Sequence, residues 1–233
     1  MTTLLQSLDW NAITARMNNT GYALETSILT GEQCNSLIQQ YDNPELYRKT
    51  ITMERYRFGQ GEYKYFNYPL PPLIRTIRST IYPLLAPIAN GWMKALQNDN
   101  SFPETFEELQ SRCHANQQTR PTVLILKYGQ GGHNTLHQDL YGDIFFPIQL
   151  VLFLNEPGID YEGGEFVLLQ QNPRAQSKAI VLQPRKGDML LFTTNYRPAK
   201  STKGYYRVNM KHGVSEVRKG QRHTLGIIFH DAL

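Results

Sequence analysis

The feature that most restricts the possible folds of this chain is a series of short β-rich runs from residue 121 to the end. Turn signals separate the runs, and no stretch between them has the periodicity of a helix. The runs include PTVLILKYG, FPIQLVLFLNEP, GGEFVLLQQ, GDMLLFTTN, YYRVNMKHG and RHTLGIIFH. Successive strands without intervening helices pair antiparallel, so residues 121–233 are predicted to form a two-sheet jelly roll or barrel.

The first part of the chain, residues 1–120, has a different texture and is predicted to be mostly helical. Thr30 and Gln33 have the spacing of a capping box ahead of an apolar stripe. The segment PLPPLIRTIRSTIYPLLAPIANGWMKALQ indicates a long helical stretch, interrupted at Pro83 and Pro87.

One β-structure is predicted within this helical part. The segment ERYRFGQGEYKYFNY has two alternating runs around a glycine-rich turn, which predicts a β-hairpin near residues 54–68. Together these patterns predict an α+β protein. It would be a single domain over residues 1–233, with N-terminal helices and a hairpin added to the β-core.

Charge and composition narrow the functional classes. The net charge is +4, but Arg185 to Arg222 contains ten Lys or Arg residues and two acids. Such a segment suits a polyanion or an anionic small molecule, and equally a solvated surface. No apolar run approaches a membrane span, and the N-terminus does not resemble a signal peptide. Cys34 and Cys113 are far apart in helix-like segments, which is typical of reduced cysteines in a cytosolic protein. These features predict a cytoplasmic location and no membrane partner.

A possible metal site lies in TLHQDLYGD. His137 and Asp139 are two residues apart, and this spacing puts both side chains on one side of an extended segment. Two histidines and one carboxylate can hold a divalent metal on one face and leave positions open for substrates. The third ligand must come from a later strand. His212 shares its parity with the apolar Val208 and Met210, so it is predicted to point inward and complete the site.

Ten residues after His212, Arg222 stands in an alternating strand, and Thr224 lies on the same face. A buried arginine needs an anionic partner, and the neighbouring residues offer none. A carboxylate ligand would satisfy it through two parallel hydrogen bonds. Thr224, and Tyr128 nine residues before His137, are predicted to add hydrogen bonds to that ligand.

The order and spacing of these landmarks resemble the superfamily of Fe(II)- and 2-oxoglutarate-dependent dioxygenases. The segment KYGQGGHNTLHQD is similar to the Tyr-Gly-x-Gly-Gly segment of prolyl 4-hydroxylases, and YEGGEF, PRKGDMLLF and HGVSEVRKGQRHT keep that group's order. The resemblance implies a double-stranded β-helix core, Fe(II) on His137, Asp139 and His212, and 2-oxoglutarate held by Arg222. It also implies dioxygen as a co-substrate and oxidoreductase activity.

The sequence departs from prolyl 4-hydroxylases at two places. Those enzymes usually have lysine in the position of Arg222, and tryptophans in the last strand, where this chain has TLGIIFHD. Arginine at that position and Tyr128 resemble the AlkB-type nucleic-acid demethylases. Segments such as GEYKYFNYPLP and GQRHTLGIIFHDA look like a bacterial oxygenase family named for oxidative repair of damaged DNA. The resemblance therefore favours oxidative dealkylation of nucleic-acid bases.

Other functions remain open: hydroxylation of prolyl or other protein side chains, turnover of a small metabolite, or a non-catalytic jelly-roll binding module. Nucleic acid and a peptide are accordingly the two macromolecular partners considered. Candidate substrate contacts follow the metal motif, precede it in the glycine-rich loop, or lie in the two basic and aromatic segments. They are Tyr141, Asp143, His133, Arg197, Arg207, Tyr63 and Tyr65.

Overall fold

A computed structural model describes all 233 residues of the chain. Its helices all lie in the first half of the sequence, and three short 3-10 segments lie between residues 40 and 56. No helix combines the length and the apolar character needed to cross a membrane. The helices are α1 (Thr2–Gln6), α2 (Trp10–Thr20), α3 (Gly31–Gln39), α4 (Pro72–Ala95) and α5 (Phe106–Ala115).

The strands form two large antiparallel sheets and one two-stranded ribbon. The seven-stranded sheet has the order β1 (Tyr22–Glu25), β11 (Met189–Thr193), β7 (Ile148–Phe153), β15 (Arg222–Ile227), β5 (Leu124–Tyr128), β4 (Glu62–Phe66) and β2 (Tyr47–Thr52). The second sheet has the order β10 (Lys178–Leu182), β9 (Phe166–Gln171), β13 (Gly204–Val214), β6 (His133–His137) and β3 (Gly59–Gln60), and β12 (Tyr196–Ser201) pairs with β13. The ribbon consists of β14 (Val217–Gly220) and β8 (Tyr161–Gly163).

Alternation along the strands divides the core into two layers. On β7, Leu150 and Leu152 face the helices and belong to the main cluster of 38 buried residues, which also contains the apolar face of α4. The neighbouring Val151 and Phe153 face the other way and pack against Phe166 and other side chains of the second sheet. The helices thus cover one face of the large sheet, and the space between the sheets is left for a site.

Helix α4 runs without a break from Pro72 to Ala95, so the predicted interruption at Pro83 and Pro87 is wrong. Both prolines lie on the exposed face of the helix, while Ile81 and Leu85 are buried beside them. Each proline removes one backbone donor at the solvent side, where water can replace the lost partner. Burial of the apolar face therefore keeps the helix continuous.

The N-terminal part contains β-structure, but the hairpin predicted around Gly59-Gln60-Gly61, near residues 54–68, does not form. β2 pairs antiparallel with β4, and residues 53–56 between them form a 3-10 turn. The runs on either side of Gly61 do not pair with each other: β3 joins β6 in the second sheet, and β4 joins β5 in the first. Gly61 has a φ of 144°, and a Cβ there would lie 2.9 Å from the ring of Tyr128, so this glycine lets the chain cross between the sheets.

A buried ion pair fastens α4 to the C-terminus. Nη2 of Arg78 lies 2.8 Å from Oδ1 of Asp231, and each side chain is only 1% exposed. Tyr68 donates to the same carboxylate at 2.9 Å, and Nε2 of His114 lies 3.1 Å from it. The carboxylate is thus saturated with partners, which offsets the cost of burying it.

Replacing Asp231 with alanine is expected to lower the free energy of unfolding by about 3–5 kcal/mol, because the Arg78 charge would stay buried without its partner. Urea denaturation followed by circular dichroism measures this loss. The double variant Arg78→Met/Asp231→Leu is the matched control, since it removes both charges and should lose less. A loss of under about 1 kcal/mol for the single variant would contradict this role of the ion pair.

Candidate active site

The three predicted metal ligands meet between the two sheets. His137 is the last residue of β6, Asp139 follows two residues later, and His212 lies directly opposite His137 on the paired strand β13. One nitrogen or oxygen of each side chain falls within 4.8 Å of the others. Antiparallel pairing with His212 facing inward is the reason that residues 75 positions apart converge here.

Individual atoms are arranged as a ligand set. Oδ2 of Asp139 lies 3.2 Å from Nε2 of His212, and Oδ1 lies 3.6 Å from Nε2 of His137. Nδ1 of His137 is 2.7 Å from the carbonyl oxygen of Thr135, and a proton on Nδ1 donates to it. This contact leaves Nε2 of His137 unprotonated and directed at the shared centre, the arrangement of a metal-binding histidine.

Burial and neighbouring groups keep the set in its ligating form. Burial lowers the pKa of His137 below its ordinary value, and the adjacent His212 adds to this effect. Burial alone would raise the pKa of the Asp139 carboxyl, but His212, His137 and Tyr141 outweigh it and hold that pKa below its usual range. A neutral imidazole beside an ionised carboxylate is the state that binds a divalent metal.

Three tyrosines continue outward from Asp139. The hydroxyl of Tyr141 donates to Oδ1 of Asp139 at 2.8 Å, and the hydroxyl of Tyr65 donates to that of Tyr141 at 3.1 Å. The ring of Tyr63 meets the ring of Tyr65 edge to face, with centroids 5.4 Å apart. These three predicted substrate residues are therefore brought together, and Tyr141 contacts Asp139 directly.

Arg222 lies in the same interior and is 1% exposed. Its Nε and Nη1 atoms have no hydrogen-bond partner, and it forms no ion pair. Its guanidinium carbon lies 5.6 Å from the ring centroids of Tyr128 and Phe153. The chain makes room for it at Gly164, whose φ is 61° and where a Cβ would lie 2.9 Å from Cδ of Arg222. A buried cation with free donors fits an anionic ligand.

Tyr128 and Thr224, the residues predicted to hydrogen-bond the ligand, line the same cavity as Arg222. Tyr128 stands directly opposite Arg222 on β5, and Thr224 follows two residues later on β15. Burial raises the pKa of Tyr128 to about 12, so its hydroxyl keeps its proton and can donate at neutral pH. Asn134 donates to that hydroxyl at 3.3 Å and orients it.

A single cavity of about 230 Å³ joins the candidate metal ligands to Arg222. Its walls are largely apolar, which restricts water around the ligand set. The lining includes His137, Asp139, His212, Arg222, Tyr128, Thr224, Tyr63, Tyr141, Leu124, Leu126, Val151, Phe166 and Phe192.

Five predicted substrate residues do not line this cavity. Tyr65 is one of them, and it contacts the lining residues Tyr63 and Tyr141. Arg197 is buried against α2, where Nη1 donates to the carbonyl of Asn18 at 3.4 Å, so it serves the end of that helix instead. Arg207 stacks on the ring of Tyr196 at 4.1 Å. Nδ1 of His133 lies 3.1 Å from the carbonyl of Gly131, and Asp143 is exposed outside the cavity.

The cavity also contains residues that the sequence analysis missed. Gln149 is 3% exposed on β7, and its amide nitrogen has no partner. Its signal was a single polar residue within the apolar run FPIQLVLF. Phe58 also lines the cavity, although it belongs to the segment before β3. Nothing in the local pattern placed Phe58 there, because its position depends on pairing between distant strands.

A protein-family model matches residues 61–232, which is well over half of the chain. The family is called Oxygenase-NA and is described as an oxygenase catalysing oxidative methylation of damaged DNA. The chain belongs to the Oxygenase-NA family. An uncharacterized protein of Mycobacterium tuberculosis is 43% identical to it over 167 residues, which is 72% of this chain and 72% of that protein.

Solved structures show the fold of this Oxygenase-NA protein. A prolyl-4-hydroxylase of Pseudomonas putida superposes with a TM-score of 0.59 at 13% identity, covering 96% of this chain and all (100%) of the other. A 2OG-Fe(II) oxygenase family protein of Burkholderia pseudomallei superposes with a TM-score of 0.52 at 14% identity, covering 97% and 94%.

The family model confirms the predicted oxygenase class, and the solved structures confirm the double-stranded β-helix core with N-terminal helices. The predicted cofactors fit the site. The His–Asp–His set suits Fe(II), and the unpartnered guanidinium of Arg222 suits the distal carboxylate of 2-oxoglutarate.

Proposed function

We propose that this Oxygenase-NA protein uses His137, Asp139 and His212 to hold Fe(II) and Arg222 to hold 2-oxoglutarate. The observation that carries the proposal is that a complete ligand set and a buried, unpartnered guanidinium share one cavity. The ligand set alone, or the buried guanidinium alone, could have a purely structural role in the fold. Together they match the two ends of a bound keto acid, one at the metal and one at the cation.

When bound, iron and 2-oxoglutarate supply the oxidation: dioxygen is consumed, 2-oxoglutarate becomes succinate and carbon dioxide, and a substrate C–H bond becomes C–OH. The chain's own residues bind, orient and exclude water. Arg222, with Tyr128 and Thr224, orients the keto acid, and Tyr141 fixes the carboxylate of Asp139. The apolar walls keep water from the reacting groups.

The substrate class that we favour is an N-alkylated nucleic-acid base. Hydroxylation of the alkyl carbon attached to nitrogen gives an N–C–OH group, which releases an aldehyde and restores the N–H of the base. The description of the family supports this class. A base in a duplex would have to be flipped out to reach a cavity enclosed by two sheets.

The main alternative is hydroxylation of a prolyl or other protein side chain. The segment KYGQGGHNTLHQD supports it through its likeness to prolyl 4-hydroxylases. A non-catalytic binding module is less consistent with a complete ligand set and an available cation. The free, buried state of both cysteines supports the cytoplasmic location that we infer.

We also interpret residues 1–233 as a single dioxygenase domain. β1, β2 and β4 come from the N-terminal part and lie in the same sheet as β5, β7 and β15 of the core. The main hydrophobic cluster likewise contains side chains from both parts.

Tyr141→Phe is expected to weaken Fe(II) binding about 10-fold or more, because the carboxylate of Asp139 would lose the donor that fixes it. Calorimetric titration of the metal-free protein under anaerobic conditions measures the affinity directly. Tyr22→Phe, a partly buried tyrosine outside the cavity, is the matched control. Equal iron affinities for the Tyr141 variant and the wild type would exclude this positioning role.

A succinate-formation screen tests the substrate class. The panel contains N-methylated single-stranded DNA, the same DNA unmethylated, proline-rich peptides and small metabolites. Stimulation by the methylated DNA, with release of formaldehyde, is the expected result. Stimulation by peptides alone would reject the nucleic-acid substrate and leave the dioxygenase chemistry in place.

A further inference from the structure

Two exposed aromatic residues stand at the entrance of the cavity. Tyr56 is 52% exposed and Phe58 is 44% exposed. Their rings stack on each other with centroids 5.5 Å apart and an interplanar angle of 18°. Phe58 also lines the cavity beside the metal ligands. We refer to Tyr56 and Phe58 as the aromatic pair.

Hydrogen bonds hold the backbone of Phe58 in place. The carbonyl oxygen of Phe58 accepts from both the amide nitrogen and the hydroxyl of Thr135, each at 2.9 Å. The amide of Phe58 donates to the carbonyl of Met53 at 3.1 Å. Thr135 lies on β6, two residues before His137. The pair is therefore tied to the strand that carries a metal ligand, and little ordering is needed for binding.

The charged residues around the aromatic pair suit the anionic backbone of a nucleic acid. Arg55 and Arg57 flank Tyr56, both are exposed, and neither forms an ion pair. Glu54 is the one acid in the same turn and is also exposed. Stacked aromatic faces beside free arginines are the combination by which proteins hold unpaired bases and their phosphates.

The sheet edge at this place is poorly suited to an extended peptide. The strand beyond β6 is β3, which has only two residues, Gly59 and Gln60. A peptide that adds to a sheet needs a longer row of free backbone groups. A flat base needs only a ring face, so the exposed surface favours a nucleic acid over a peptide strand.

We propose that the aromatic pair is a stacking platform for single-stranded nucleic acid, holding a base next to the one that enters the cavity. The inference rests on the proposed function, because it takes the substrate to be a nucleotide. Arg55 and Arg57 would contact the flanking phosphates. In duplex DNA the bases already stack on each other, so the platform favours single strands.

Fluorescence anisotropy with a labelled single-stranded oligodeoxynucleotide tests the proposal on the full chain. Tyr56→Ala and Phe58→Ala are each expected to weaken binding about 10-fold, the loss of one base–aromatic stack. Tyr56→Phe and Phe58→Tyr should restore near wild-type affinity, since they keep a ring face. Thermal unfolding of every variant checks that the fold is intact.

Tyr205→Ala is the matched control. Tyr205 is 53% exposed, similar to Tyr56, but lies seven residues from His212 along β13, about 23 Å in an extended strand. Its replacement should change neither oligonucleotide binding nor succinate formation.

Unchanged affinity in both alanine variants would overturn the stacking platform, and so would an equal loss of affinity in Tyr205→Ala. If the wild type still formed succinate, the proposed dioxygenase chemistry would stand without the platform. No oligonucleotide binding by the wild type, or platform-dependent binding of a proline-rich peptide instead, would also overturn it. Equal affinity of the wild type for duplex and single-stranded oligonucleotides would contradict the preference of the platform for single strands.

Discussion

Alanine at His212 is expected to reduce 2-oxoglutarate turnover to the level measured without protein. His212 supplies an imidazole that is buried and faces Oδ2 of Asp139 at 3.2 Å, and no other histidine is positioned to replace it. A metal held by only one histidine and one carboxylate would be bound weakly and with altered geometry. His137→Ala and Asp139→Ala should have the same effect. Succinate formation at saturating iron and 2-oxoglutarate measures the loss.

His114→Ala is the control for that experiment. The side chain of His114 is 42% exposed and contacts Asp231, outside the cavity. The His114→Ala variant should turn over 2-oxoglutarate at the wild-type rate. Loss of turnover in His114→Ala, or its survival in the His212 variant, would show that activity does not depend on this particular set of ligands.

Arg222→Ala is expected to raise the KM for 2-oxoglutarate roughly 100-fold or more, because truncation of one partner of a buried charge pair costs several kcal/mol. The kcat at saturating 2-oxoglutarate should change far less, since the metal ligands remain. Arg222→Lys keeps the charge and loses the planar pair of donors, so an intermediate KM is expected. Initial rates over a range of 2-oxoglutarate concentrations separate the two parameters. A KM that stays at the wild-type value in the alanine variant would exclude Arg222 as the carboxylate partner.

Arg222 should also affect the thermal stability of the protein. In the ligand-free protein Arg222 is a buried cation without a partner, which is unfavourable. Arg222→Met keeps much of the shape and removes the charge, so the ligand-free variant should be at least as stable as the wild type. Added 2-oxoglutarate should then raise the midpoint of thermal unfolding only in the wild type.

Local patterns were sufficient to predict which of the candidate ligand side chains face the cavity. Parity with Val208 and Met210 places His212 on the inner face, and the structure shows all three buried. Parity likewise groups Arg222 with Thr224 on the side of β15 that lines the cavity. These predictions depend only on alternation within one strand, which the sequence contains directly.

Features that depend on pairing between distant segments were not predictable. The turn at Gly61 resembles that of a hairpin, yet its two sides join different sheets because β5 and β6 are available to pair with them. Arg197 lies in a basic segment that resembles a substrate-contact loop, but its side chain is buried and donates to Asn18 of α2, Pro198 and Gln170. Phe58 is held at the cavity by hydrogen bonds from Thr135 on the distant strand β6. The positions of these side chains therefore follow from strand pairing and packing, and not from alternation within one segment.

The most direct test of the central claim is anaerobic titration of the metal-free protein with Fe(II) and 2-oxoglutarate, followed by visible absorption. A keto acid chelating ferrous iron produces a charge-transfer band, and this readout requires no substrate. We expect the band in the wild type and its absence in His212→Ala. In Arg222→Ala it should form only at much higher 2-oxoglutarate concentrations. A band of wild-type strength and midpoint in both variants would contradict the assignment of the iron and 2-oxoglutarate sites.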